Sequence, residues 1–71
     1  MTTKLLLVPD ISCEHCEQTV RRALEPVPGI DRVAVDIPAH AVTVDFDERR
    51  VGLERIEAIL AAEDYPVAEA R

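Results

Sequence analysis

A chain of 71 residues with 14 acidic against eight basic side chains carries a formal charge of −6, so its surface repels phosphate backbones and excludes a nucleic-acid role. Apolar residues make up 48% of it, yet Phe46 and Tyr65 are its only aromatics, so a small core must be built from Val, Ile, Leu and Ala. Its apolar runs are too short for a membrane span or a signal-peptide core, which implies a cytoplasmic protein with reduced thiols.

Lys4 to Val8 reads as a buried strand closed by Pro9, which has no N–H to give to a ladder. The loop Ile11-Ser12-Cys13-Glu14-His15-Cys16 follows and holds both cysteines. A helix is expected from Glu14 to Val27, with Cys16, Val20, Ala23, Leu24 and Val27 as its core-facing stripe. Ser12 is its expected N-cap, and Glu14 and Glu17 lie in the first turn, where the helix dipole favours negative charge. Pro26 and Pro28-Gly29 end it.

Asp31 to Phe46 alternates as a hairpin: Val33, Val35, Ile37, Val42, Val44 and Phe46 share a dry face, and the turn is Pro38-Ala39-His40. After a charged connector, Asp47 to Val51, Gly52 opens a second helix with Leu53, Ile56, Ile59 and Leu60 as its stripe. Glu63-Asp64 ends that helix, and Tyr65-Pro66-Val67-Ala68 is expected to form a short closing strand, at an edge because of Pro66. The order β-α-β-β-α-β is the split βαβ pattern. It predicts an α+β, ferredoxin-like sandwich: a four-stranded antiparallel sheet with two helices on one face, residues 1–71 forming a single domain.

A strand–loop–helix turn lets two thiols converge at the molecule's edge. Such a pair is a site for a soft ion, and also a dithiol able to close into a disulfide. In a redox role Cys13, nearer the loop, is the attacking thiol; the chain, however, has no Trp before the pair and is short for a thioredoxin-like fold. A closed zinc site normally takes four ligands, whereas only two cysteines and two histidines are present, His40 being a distant turn residue. The polar neighbours Ser12, Glu14 and His15 argue against a buried pair of core thiols. An open two-thiolate site remains, and Cu(I), which accepts low-coordinate sulfur, suits it better than Zn(II). The helix start near Cys16 lowers thiol pKa values, while Glu14 and Glu17 oppose that effect.

On these residues the chain resembles a heavy-metal-associated domain, the module of copper chaperones and of the cytosolic metal-binding domains of copper-transporting P-type ATPases. The pattern G-M-x-C-x-x-C of that family reads here Asp10-Ile11-Ser12-Cys13-Glu14-His15-Cys16. The resemblance implies that Cys13 and Cys16 are metal ligands and that no reaction is catalysed. It implies a cargo of Cu(I), with Zn(II) or Hg(II) as alternatives, handed to a P-type ATPase or another metal-binding protein. It also implies a monomer, or a dimer bridged by metal. Ile11 stands where the family has a methionine that anchors the loop in the core, so Ile11 is expected to act as an apolar peg. Zinc-handling relatives tend to place an aspartate directly before the first cysteine; Ser12 occupies that position and favours copper, with Asp10 nearby. Tyr65 matches a tyrosine that bacterial copper chaperones often hold close to the cysteines, the alternative being a core aromatic. Asp64 stands where glycine often precedes that tyrosine, so a Cβ must enter a tight turn. His15 is read as solvent-facing, or more sharply as an auxiliary contact; His15, Tyr65 and Asp10 are the auxiliary candidates at the metal.

Overall fold

The computed structural model describes residues 2–71. Strand β1 (Thr2–Leu7) lies between β3 (Ala41–Phe46) and β4 (Glu69–Ala70), and β2 (Ile30–Asp36) lies beyond β3. The sheet order is β2-β3-β1-β4, with every pairing antiparallel. Helix α1 (Glu14–Leu24) connects β1 to β2, and helix α2 (Leu53–Ala62) connects β3 to β4. This is the expected ferredoxin-like α+β sandwich.

Register decides which strand residues share a face. Leu6 pairs with Val42 and Val42 with Val35; Val44 pairs with Val33, so these side chains lie on one side of the sheet. They form one cluster with Val20 and Leu24 of α1 and Ile56 and Leu60 of α2, which puts both helices on that face. Leu6, Val20, Leu24, Val42, Val44, Ile56 and Leu60 are wholly shielded from solvent. The opposite face carries Thr3, Thr43 and Asp45 and faces water.

Several boundaries differ from expectation, each for a local reason. The first strand begins at Thr2, because Thr2 and Thr3 pair with Phe46 and Asp45. It stops at Leu7, because the N–H of Val8 leaves the ladder and donates to the carbonyl of His40 at 2.8 Å. Helix α1 ends at Leu24 instead of Val27. Pro26 has no N–H to continue the ladder and disfavours helical geometry in the residue before it. Val27 still packs against the core from the following turn.

The closing strand is displaced from Tyr65–Ala68 to Glu69–Ala70. Tyr65 cannot join the sheet because its N–H is already bonded to the carbonyl of Leu60 at 2.9 Å. Together with the Asp64 N–H on Ala61 O, at 3.1 Å, this forms a Schellman end to α2. Asp64 takes the left-handed position at φ 67, with a Cβ where glycine is favoured. The strand does sit at an edge, joined to β1 through Leu6↔Ala70 and Leu7↔Glu69 and flanked by Arg71–Leu5 backbone bonds.

The loop between β1 and α1 is fastened by Ile11, which is 0% exposed and belongs to the core cluster. The apolar peg expected there is present. Ile11→Met, a near volume-conserving change, should cost less than about 1.5 kcal/mol of stability. Ile11→Ala should cost roughly 2–5 kcal/mol, enough to leave much of so small a chain unfolded. Urea unfolding followed by circular dichroism measures both.

Candidate metal centre

Helix α1 begins on a cysteine. Cys13 is its N-cap, extended at φ −157 and ψ 171, and its carbonyl accepts the first helical bond, from the N–H of Glu17 at 3.2 Å. Ser12, the expected cap, lies one residue too early, and no side chain caps this end. The uncapped helix start therefore leaves backbone donors free beside the two sulfurs.

Those sulfurs lie 3.6 Å apart, and both thiols are free. The separation exceeds a disulfide bond of about 2.05 Å. It lies within the span of two metal–sulfur bonds of roughly 2.3 Å each. Their surroundings differ sharply: Cys13 is exposed, whereas Cys16 is 8% exposed and part of the core cluster. The polar neighbours did not keep Cys16 out of the interior, because helical spacing places it in line with Val20 and Leu24 on the buried stripe.

The neighbours of Cys16 also raise its acidity. Its pKa falls from 9.0 to about 7, mainly because the Tyr65 hydroxyl hydrogen-bonds the thiolate, with the backbone N–H of Ser12 as the next contribution. Burial opposes the shift, and hydrogen bonding from Cys13 assists it. The same contact raises the pKa of Tyr65, since ionising the phenol removes the donor. Tyr65 thus fills both roles weighed for it: its ring packs against the core and its hydroxyl faces Cys16. The acidified thiol is the sheltered one, whereas the redox reading makes the exposed Cys13 the nucleophile.

The other candidates stand further back. Asp10 is exposed, and it is its carbonyl, not its carboxylate, that lies 3.9 Å from the Cys16 sulfur. His15 is exposed on the first turn of α1, where its carbonyl accepts from the Thr19 hydroxyl at 3.0 Å. Among the described residues, no group of three or more His, Cys, Asp or Glu side chains comes together to hold an ion. Glu17 has a partner of its own: its carboxylate lies 3.2 Å from Nε of Arg21. One contact escaped the sequence reading altogether. Nδ1 of His40, in the β2–β3 turn, bonds the carbonyl oxygen of Ile11 at the start of the cysteine loop. A separation of 29 residues leaves no local pattern that reveals it.

Residues 5–66 match the model of the heavy-metal-associated domain. The chain belongs to that family. A copper chaperone CopZ from Staphylococcus haemolyticus is 34% identical over 67 residues, covering 94% of this chain and 98% of the relative. The periplasmic component of a mercuric transport protein from Shigella flexneri is 31% identical over 64 residues, covering 90% of this chain and 70% of the relative. A solved CopZ metallochaperone superposes with a TM-score of 0.90 at 25% identity, covering 94% of this chain and all of that one.

Folding lowers the pKa of Cys16, so the resulting stabilisation is complete above the unfolded value of 9.0 and is lost as pH falls through about 7. Under reducing conditions, the urea midpoint of the metal-free protein should rise across that window, and Cys16→Ser should remove the rise. Tyr65→Phe, read by thiolate absorbance in a Cys13→Ser background, should move the Cys16 titration upward.

Proposed function

We propose that the chain is a carrier of Cu(I), held on Cys13 and Cys16 and passed by ligand exchange to another metal-binding protein, such as a copper-transporting P-type ATPase. The observation that carries this reading is the asymmetry of the pair: one exposed thiol and one sheltered thiol biased towards thiolate, 3.6 Å apart. Two sulfurs suffice for Cu(I), whereas Zn(II) usually asks for about four donors. The copper chaperone relative supports the same choice.

Exposure sets the order of exchange. An incoming thiolate reaches the ion from the side of Cys13, which is displaced first, and Cys16 is displaced last. Each exchange forms one metal–sulfur bond and breaks one, with no change of oxidation state. Cys16 leaves as a thiolate and needs no proton, because it ionises near pH 7. Nothing in this cycle makes or breaks a covalent bond of a substrate, so the chain acts as a carrier and not an enzyme. Residues 1–71 work as one unit in this scheme, in a cytoplasm that keeps the thiols reduced. The carrier is a monomer, and a second copy bridged through Cys13 is the form taken when no recipient is present.

Hg(II) is the second reading, favoured by the mercuric transport relative and by the affinity of soft ions for thiolate pairs. Native mass spectrometry of protein from copper-replete cells separates these cargoes. In a competition titration against a Cu(I) chelator, Cys13→Ser and Cys16→Ser should each abolish tight binding while leaving the fold intact. Wild-type affinity in either variant overturns the assignment.

Delivery calls for a short-lived complex steered by charge. Asp10 and Glu14 are exposed beside Cys13, while Glu17 is occupied by Arg21. Glu14→Lys should slow stopped-flow transfer to a recipient domain severalfold at low salt and leave affinity unchanged. Added salt should erase the difference, since exposed charges are screened over about 10 Å at 0.1 M. Equal rates at both salt concentrations would reduce the acidic surface to a solubility feature.

A further inference from the structure

His40 touches the metal loop at a point where geometry is transmitted directly to a sulfur. Its Nδ1 bonds the carbonyl oxygen of Ile11. A carbonyl oxygen only accepts, so Nδ1 carries the proton and donates. That carbonyl and the N–H of Ser12 belong to one planar peptide unit, with the two groups pointing in opposite directions. The residue before Ile11 presents its backbone to the thiol: the carbonyl of Asp10 lies 3.9 Å from the sulfur of Cys16. Holding the Ile11 carbonyl therefore holds the backbone that abuts Cys16.

The backbone of His40 reinforces the grip. Its carbonyl accepts the N–H of Val8 at 2.8 Å, and the N–H of Ile11 closes back on Val8 O at 3.2 Å. One residue thus fastens both ends of Val8–Ile11, the segment that leads from β1 into the loop. His40 manages this from a left-handed conformation, φ 53, that aims its ring at the loop and that histidine tolerates better than most residues. Only Ser12 separates the clamped carbonyl from Cys13.

We infer that His40 is a positioning residue for the metal loop, its imidazole fixing the Ile11–Ser12 peptide plane so that the loop stays seated against Cys16 and cargo is released slowly. This rests on the carrier reading above, and it adds a residue from the β2–β3 turn to the machinery of that site. Loss of the clamp lets the peptide rotate and the loop open, so the ion escapes faster.

Three substitutions isolate the hydrogen bond from the backbone. Asparagine, aspartate and glycine all accept a left-handed φ. His40→Asn keeps a side-chain donor, His40→Asp offers an acceptor only, and His40→Gly removes the side chain. Two readouts are needed: the rate at which bicinchoninate in excess strips Cu(I), and amide hydrogen exchange at Ser12 in the metal-free protein. Asp and Gly should speed stripping on the order of three- to tenfold, the loss of about one hydrogen bond, and should accelerate Ser12 exchange. Asn should restore most of both, and urea midpoints should not account for the differences. Unchanged rates in Asp and Gly, an Asn variant no better than Gly, or rates that simply follow global stability would overturn the inference. Should the wild type fail to bind Cu(I), the carrier reading falls, while Ser12 exchange across the three variants still decides whether the clamp exists.

Discussion

The sheltered sulfur of Cys16, biased towards the anion, must be held 3.6 Å from a second sulfur at the edge of a protein already carrying a charge of −6. The structure meets this constraint with hydrogen-bond donors. The Tyr65 hydroxyl and the Ser12 N–H face Cys16, and an uncapped helix start lies beside both sulfurs. Donors of this kind stabilise a thiolate without adding a charge that would compete with a bound cation. The rest of the molecule supplies their placement. Ile11 pins the loop from below, the left-handed turn at Asp64 swings Tyr65 across from the end of α2, and β4 then leads away along the sheet edge.

This arrangement divides labour between the cysteines. Cys16 belongs to the interior: it lies on the α1 stripe and is fixed by the same packing as Val20 and Leu24. Cys13 belongs to the surface and is free to meet another thiol. On the carrier reading, a pair buried equally would hold an ion that no recipient could reach, and a pair exposed equally would have little to define its spacing. The helix boundary between residues 13 and 14 produces the difference, since the cap residue projects outward and the third helical residue projects inward.

Much of this was legible in the chain because it rests on periodicity. Val20, Leu24, Ile56 and Leu60 recur at helical spacing, the residues from Val33 to Phe46 alternate, and both patterns survive as the faces of the core. The CxxC spacing located the candidate site for the same reason. Features that depend on competition for a single donor were not legible. Tyr65 looked like the start of a strand, but its N–H is committed to Leu60. Ser12 looked like a cap by residue type, yet the chain turns into the helix one residue later. His40 looked like an ordinary turn residue, and its role appears only once the sheet brings the β2–β3 turn against the end of β1. Residue type tells which bonds a group is able to make, and only the folded geometry chooses among them.

The shortness of β4 has a mechanical consequence. It is a two-residue edge strand, antiparallel to β1, and the Arg71–Leu5 bonds lie at its outer end. Tension applied between the two termini would load those bonds one after another, as a zipper is opened, instead of shearing the whole ladder at once. The strand would peel away first and slacken the segment that carries Tyr65, while Ile11 and His40 still held the other side of the loop. Pulled within a tethered array, the molecule would therefore lose the phenol contact to Cys16 at low force and keep its cysteine loop until α1 itself gave way.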